Sequence, residues 1–216
     1  MTYSRSIIPN SITLTNAACG TTAILLAELD KGLILVSIAM ILDVLDGFLA
    51  KKIDAQSDLG KELDSLADAI SFGIAPAFLF YQYFDNQLAL IFAVIYTINA
   101  IFRLAKFNIT PSSAMFNGLP SPAAAGVVLS LLLIDKQIHI EFPTIFLIIF
   151  PAVLMNINMP FFSLKDVRRN IKLVALIAMF TIAAGVVNVV YAPLALFSSY
   201  ILISVVKGVN IDEEDV

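Results

Sequence analysis

Long apolar stretches separated by short charged or polar breaks dominate this chain. Uncharged runs cover 6–27, 86–102, 107–134, 142–164 and 173–206. A membrane-spanning helix needs about 20 mostly apolar residues. The pattern predicts crossings over 8–28, 32–53, 58–84, 87–107, 121–138, 142–162, 171–190 and 193–207. The run at 173–206 is too long for one crossing, and Pro193, after Tyr191 and Ala192, is a natural break. The fold class expected is therefore an all-α polytopic membrane protein, a bundle of about eight helices. An even count puts both termini on one side. The longest polar interior connection, 108–120, is rich in Pro, Ser, Asn and Gly and reads as a loop.

Basic residues give that bundle an orientation. With the N-terminus inside, the inner positives are Arg5, Lys51, Lys52, Lys61, Arg103, Lys106, Lys165, Arg168, Arg169, Lys172 and Lys207, and the outer ones are only Lys31 and Lys136. Cytoplasmic loops carry the excess of Lys and Arg, so both termini are expected in the cytoplasm. Composition agrees with a membrane protein: 59% of the 216 residues are hydrophobic and 14% charged, against about 25% charged in soluble domains. The net charge of −4 comes partly from Asp212-Glu213-Glu214-Asp215, read as a solvated tail. No appended soluble domain and no cleavable signal peptide is expected. The domain expected is a single one over 1–216, with core helices about 8–162, further helices about 171–207 and the tail 208–216. Cys19 is the only cysteine, which excludes a disulfide or zinc framework. Trp is absent, so an interfacial belt must use Tyr and Phe. No inverted repeat of the transporter type is visible.

Against this background the acids stand out. Asp43, Asp46 and Ala50 follow at i, i+3 and i+7, and Gly60, Asp64 and Asp68 at i, i+4 and i+8, so each set shares one helical face. The connection from Asp54 to Ser57 is short, so the two helices form an antiparallel hairpin whose acidic faces can meet. Ionisable residues at membrane depth are costly and mark functional sites by default. Carboxylates without His or Cys select Mg, Mn or Ca over zinc. Magnesium commonly binds through carboxylates together with substrate phosphates, which suggests phosphoryl-type chemistry at the inner membrane face. Gly47, Ala50 and Gly60 leave room for a bulky ligand near the backbone, and Lys51 adds a charge suited to phosphate.

These residues carry a resemblance. Asp43-Val-Leu-Asp46-Gly47-Phe-Leu-Ala50-Lys51, then Gly60, Asp64 and Asp68, resembles the signature of the CDP-alcohol phosphatidyltransferase family, Asp-x2-Asp-Gly-x2-Ala-Arg-x8-Gly-x3-Asp-x3-Asp. Every acid, glycine and spacing matches, and Lys51 replaces the family's Arg, keeping the charge without the planar fork. The N-terminal Ile8-Pro9-Asn10-Ser-Ile-Thr13-Leu-Thr-Asn16 resembles the family's approach to its first helix. Arg103-Leu-Ala-Lys106-Phe-Asn108 and Phe116-Asn-Gly118-Leu119-Pro120-Ser121-Pro122 resemble its membrane phosphatidylserine synthase branch, with Lys106 again standing for Arg.

The resemblance implies a reaction and a set of roles. A CDP-diacylglycerol donor, or the ether-linked CDP-archaeol, loses CMP while L-serine takes the phosphatidyl group. Asp43, Asp46, Asp64 and Asp68 would hold two Mg or Mn ions, and Asp68 would also be the general base. Gly47, Ala50, Lys51 and Gly60 would line the CDP-lipid site, with Thr13 and Asn16 as further polar contacts or, alternatively, inter-helix hydrogen bonds. Arg103 and Lys106 are the candidates for the serine carboxylate, Asn108 and Ser121 are assigned with them to the serine-binding site, and the Asn108–Ser121 loop is expected to close over it. Arg168, Arg169 and Lys172 are assigned to anionic lipid headgroups, and a homodimer is implied. No nucleic-acid partner is expected. Rival readings are another acceptor (glycerol 3-phosphate, inositol or inositol phosphate), a cation transporter, and a non-catalytic scaffold.

Overall fold

The computed structural model describes residues 2–109, 116–140, 142–158, 160–161, 171–188 and 191–214. The chain divides into two compact units, Met1–Thr110 and Pro111–Val216.

In the first unit, α1 (Thr2–Leu26) and α2 (Leu29–Lys52) form a hairpin. Next come α3 (Asp58–Asp68), a π-helical segment (Ala69–Ile74) and α4 (Ala75–Phe84), continuous as one rod, and then α5 (Gln87–Ile109). α1 is long enough to cross a membrane, but its hydroxyls and Asn residues make it more polar than α2 and α5. Ser11, Thr15 and Thr21 each turn a hydroxyl back to the carbonyl four residues earlier, which satisfies them within the helix. Three helix ends in this unit close on left-handed residues other than glycine: Ala27, Asp54 and Asp85. At the α2–α3 turn, Ser57 caps α3 by accepting from the Gly60 amide at 3.0 Å.

The π-helical segment follows directly on Asp68. Pro76, just beyond it, has no N–H, so the carbonyl four residues earlier, that of Phe72, loses its α-helical donor. Tyr96 of α5, fully buried, donates its hydroxyl to that carbonyl at 2.9 Å. Ser71 in the same segment donates to the Asn16 carbonyl of α1 at 2.9 Å. Gly20 makes this approach possible, because a Cβ there would stand 2.7 Å from the Ser71 Cα. Small residues at such crossings let membrane helices pack closely. Around this seam lies the unit's core: Ala23, Val36, Ala39, Phe72, Ala75, Leu79, Phe80, Ala89 and Ala100. The opposite side of α2 exposes Ile34, Ile38, Ile41, Val44, Leu45 and Phe48.

The second unit contains α6 (Ser121–Ile138), α7 (Phe142–Leu147), α8 (Ile149–Leu154), α9 (Ile171–Val187) and α10 (Tyr191–Glu214). Two short strands, β1 (Phe116–Asn117) and β2 (Pro160–Phe161), pair antiparallel. Gly118 takes φ +81°, and a Cβ there would meet the Met155 carbonyl. Gly126 lies beneath the Phe197 ring of α10. Buried Asp135 accepts from Thr144 at 2.7 Å, tying α6 to α7. His139 is exposed and ends α6 in a left-handed conformation.

Among the described residues, four helices are long and apolar enough to cross a membrane: Leu29–Lys52, Asp58–Phe84, Gln87–Ile109 and Ser121–Ile138. They correspond to the expected spans at 32–53, 58–84, 87–107 and 121–138. The span expected at 142–162 is instead two short helices broken at Ile148. Pro151 cannot donate to the Leu147 carbonyl one turn back and crowds it, which interrupts the helix. The last helix begins at Tyr191, not after Pro193, since a proline is tolerated in a first turn. It runs to Glu214, so much of the tail at 208–216 continues a helix. Arg168 and Arg169, assigned to headgroups, lie outside the described residues, as does the Lys172 side chain.

Candidate active site and metal centre

Three of the four acids converge. One carboxylate oxygen from each of Asp43, Asp64 and Asp68 lies within 4.8 Å of the others. Asp43 comes from α2, Asp64 and Asp68 from α3, as the two helical faces predict. The Asp43 and Asp64 carboxylates are close neighbours, and Asp68 is 8% exposed. This donor set fits a hard divalent cation: it is all oxygen and multiply anionic, with Asp68 buried and Asp43 and Asp64 half-buried.

Asp46 is not part of that triad. It is 4% exposed, and its Oδ2 accepts a hydrogen bond from Thr13 Oγ1 of α1 at 2.5 Å. It remains close enough to Asp43, Asp64 and Asp68 to act on each electrostatically. The Pro9 carbonyl, 3.1 Å from the same Thr13 hydroxyl, is a second and more distant acceptor for its one proton. Thus Thr13 makes an inter-helix bond, and it makes it to one of the four acids. Asn16, one turn further along α1, is fully buried, and neither side-chain atom has a hydrogen-bond partner among the described residues. Buried amides are seldom left in this state, and Asn16 lies on the face of α1 that presents Thr13 to Asp46.

Arg103 brings a buried positive charge close to these acids. It is 7% exposed, on α5, and acts electrostatically on Asp43, Asp68 and the Tyr96 hydroxyl. Its guanidinium carbon is 5.9 Å from the Phe107 ring centre, within cation–π range. Lys106 is half-buried one turn further on. Asn108 bonds to α3 through Ser65 and Glu62. Ser121 is buried in the first turn of α6, in the second unit. Residues 110–115, between Asn108 and Ser121, lie outside the described residues.

The small residues separate into two kinds. A Cβ on Gly47 would meet nothing within 4 Å, so this exposed stretch of α2 backbone is open to a ligand. At Gly60 a Cβ would stand 3.1 Å from Asn10 Oδ1 and from Ser57 Oγ, so its missing side chain serves the packing of α1 on α3. Ala50 is half-buried, and Lys51 is exposed at the last turn of α2. Lys52 places its ammonium 5.9 Å from the Phe48 ring. Sequence reasoning did not foresee Tyr96 or Ser71. Their only signal was Pro76, which leaves a carbonyl without its usual donor.

Comparison with known proteins bears on this geometry. A profile of the CDP-alcohol phosphatidyltransferase family matches residues 6–200, which includes Asp43, Asp46, Asp64, Asp68 and Arg103. A protein of Methanocaldococcus jannaschii named CDP-diacylglycerol–serine O-phosphatidyltransferase is 43% identical over 118 residues, covering 55% of this chain and 56% of that protein. Proteins of the same name are similar in Helicobacter pylori, 37% identical over 157 residues (68% of this chain, 66% of that protein), and in Bacillus subtilis, 40% over 124 residues (54% and 70%). The match thus spans little more than half the length of the archaeal relative. With its acids on two adjacent helices at the family's spacing, and with the profile covering most of its length, the chain belongs to the CDP-alcohol phosphatidyltransferase family.

Proposed function

We propose that this protein transfers the phosphatidyl group of CDP-diacylglycerol, or the equivalent group of CDP-archaeol, to L-serine and releases CMP. The observation that carries the transfer chemistry is the convergence of half-buried Asp43 and Asp64 with buried Asp68 beside Arg103. Serine as acceptor is supported by the name of the matched relatives. The chemical reason to favour it is a cation pair, Arg103 and Lys106, at i and i+3 on one helix, suited to a carboxylate.

Asp43, Asp64 and Asp68 hold divalent cation, Mg or Mn, and Asp46 completes the set for a second ion. Bound cations supply neutralisation of the donor pyrophosphate and of the charge that builds on departing CMP. Open backbone at Gly47, with Ala50 and Lys51 on the following turn, receives the CDP moiety. Thr13 holds the Asp46 carboxylate in one orientation. Arg103 and Lys106 orient serine by its carboxylate, so that its hydroxyl faces the phosphorus. Asp68 takes the hydroxyl proton as the serine oxygen attacks. Burial of Asp68 and Arg103 keeps bulk water from competing with serine as nucleophile. Much of the rate comes from holding the two substrates in line.

The site works from the cytoplasmic side of a membrane bundle with both termini inside. Supporting this, Lys51, Lys52, Lys61 and Lys106 all stand at the ends of α2, α3 and α5 nearest the acids. The full chain acts as one membrane domain and forms a homodimer. The test is product identification: purified protein with labelled L-serine, CDP-lipid and Mn2+ should form a chloroform-extractable phosphatidylserine or its archaeol equivalent. Labelled lipid from glycerol 3-phosphate, inositol or inositol phosphate instead would reassign the acceptor, and cation flux without nucleotide would favour a transporter.

A further inference from the structure

The last turn of α5 is held by side chains of α3. Ser65 Oγ donates to Asn108 Oδ1 at 2.9 Å, and Asn108 Nδ2 donates to Glu62 Oε2 at 3.4 Å. Lys61 Nζ donates to the Asn108 main-chain carbonyl at 2.6 Å. That carbonyl is among the last four of α5, which have no partner inside the helix, and an ammonium is favoured at that negative end. Lys61 and Ser65 are one turn apart on one face of α3. All three α3 residues lie at least 43 residues from Asn108 in sequence, so this contact is tertiary.

Its position gives it consequence. α3 carries Asp64, next to Ser65, and Asp68 one turn on; α5 carries Arg103 and Lys106, just before Asn108. The two helices therefore each bear one half of the site, the metal-binding acids and the acceptor-binding cations. The spacing between those halves decides whether a serine held by Arg103 presents its hydroxyl to the phosphorus. Misplacement on the scale of an ångström is enough to lose rate.

We infer that Asn108 is a positioning residue: with Ser65 and Lys61 it locks the end of α5 to α3 and sets the distance from the acids to the acceptor cations, without itself contacting the acceptor. This rests on Arg103 and Lys106 binding the acceptor. It reassigns Asn108 from the acceptor pocket, where the sequence alone put it.

The test compares Asn108→Ala, Ser65→Ala, the double variant and Ser65→Thr in the full-length protein. Amide hydrogen exchange of peptides over 58–65 and 104–109 reads the lock with no turnover. Steady-state rates read the acceptor KM and kcat, and electron paramagnetic resonance reads Mn2+ affinity. Each alanine variant should speed exchange in both peptides and raise the serine KM about fivefold, the scale of one net hydrogen bond. Mn2+ affinity should stay at the wild-type value. The double variant should not exceed Asn108→Ala, which already removes the Ser65 bond together with that to Glu62, and Ser65→Thr should keep both readouts at wild type. A raised KM in Asn108→Ala with Ser65→Ala at wild type would make Asn108 an acceptor ligand and overturn the proposal. Faster exchange with an unchanged acceptor KM would also overturn it, leaving the contact merely structural. Should another alcohol prove to be the acceptor, its KM replaces that of serine, and the exchange result stands independently of that outcome.

Discussion

Replacing Thr13 by Val is the sharpest probe of how α1 serves the site. The substitution keeps the branched shape and deletes the hydroxyl, so the packing of a residue that is 4% exposed is nearly preserved. What is lost is the 2.5 Å bond to Asp46 Oδ2. A hydrogen bond to a charged group contributes about 2 kcal/mol net. Because Asp46 is itself buried, we take the loss in full, which corresponds to about thirtyfold in an equilibrium or rate constant. If that bond orients Asp46 for a cation, Thr13→Val should lower kcat/KM for CMP release by about that factor and weaken the Mn2+ titration. Thr13→Ser, which retains the hydroxyl, should remain close to wild type. Normal kcat/KM and Mn2+ affinity in folded Thr13→Val would refute the reasoning and leave Thr13 as an inter-helix contact only.

Other outcomes follow from the same geometry. Asp64→Asn removes a charged ligand from the triad and should abolish tight Mn2+ binding in an electron paramagnetic resonance titration, with the protein still folded by circular dichroism. Gly47→Ala meets no atom within 4 Å and gains helix propensity, so melting temperature should hold or rise while the KM for CDP-lipid increases. Gly20→Ala should behave oppositely: its Cβ would stand 2.7 Å from the Ser71 Cα, and overpacking of about 1–3 kcal/mol should lower the melting temperature.

What the sequence made legible, and what it did not, follows from the range of the interactions involved. Four spans appear close to where their apolar runs put them, since length and hydropathy are local properties. The facing of Asp43 against Asp64 and Asp68 was also legible, because helical spacing and a short turn determine it. Pro151 broke the expected helix at 142–162, a local signal that the apolar run obscured. The π-helical segment depends on Pro76, Tyr96 and Ser71 together, and no single periodicity encodes it. Thr13 with Asp46 and Asn108 with Ser65 are pairings across 33 and 43 residues. The motifs bring those residues to notice without assigning their partners. Gly60 looked like ligand space from its motif, whereas Asn10 and Ser57 border it.

The central claim is that the buried acids drive serine-dependent cleavage of a CDP-lipid. CMP release by purified protein with CDP-diacylglycerol or CDP-archaeol and Mn2+, with and without L-serine, in wild type and Asp68→Asn, tests it most directly. The account predicts release that requires both serine and metal and is lost in Asp68→Asn with the protein folded. Undiminished release by Asp68→Asn, or none from wild type with either donor and any of the acceptors, would contradict it.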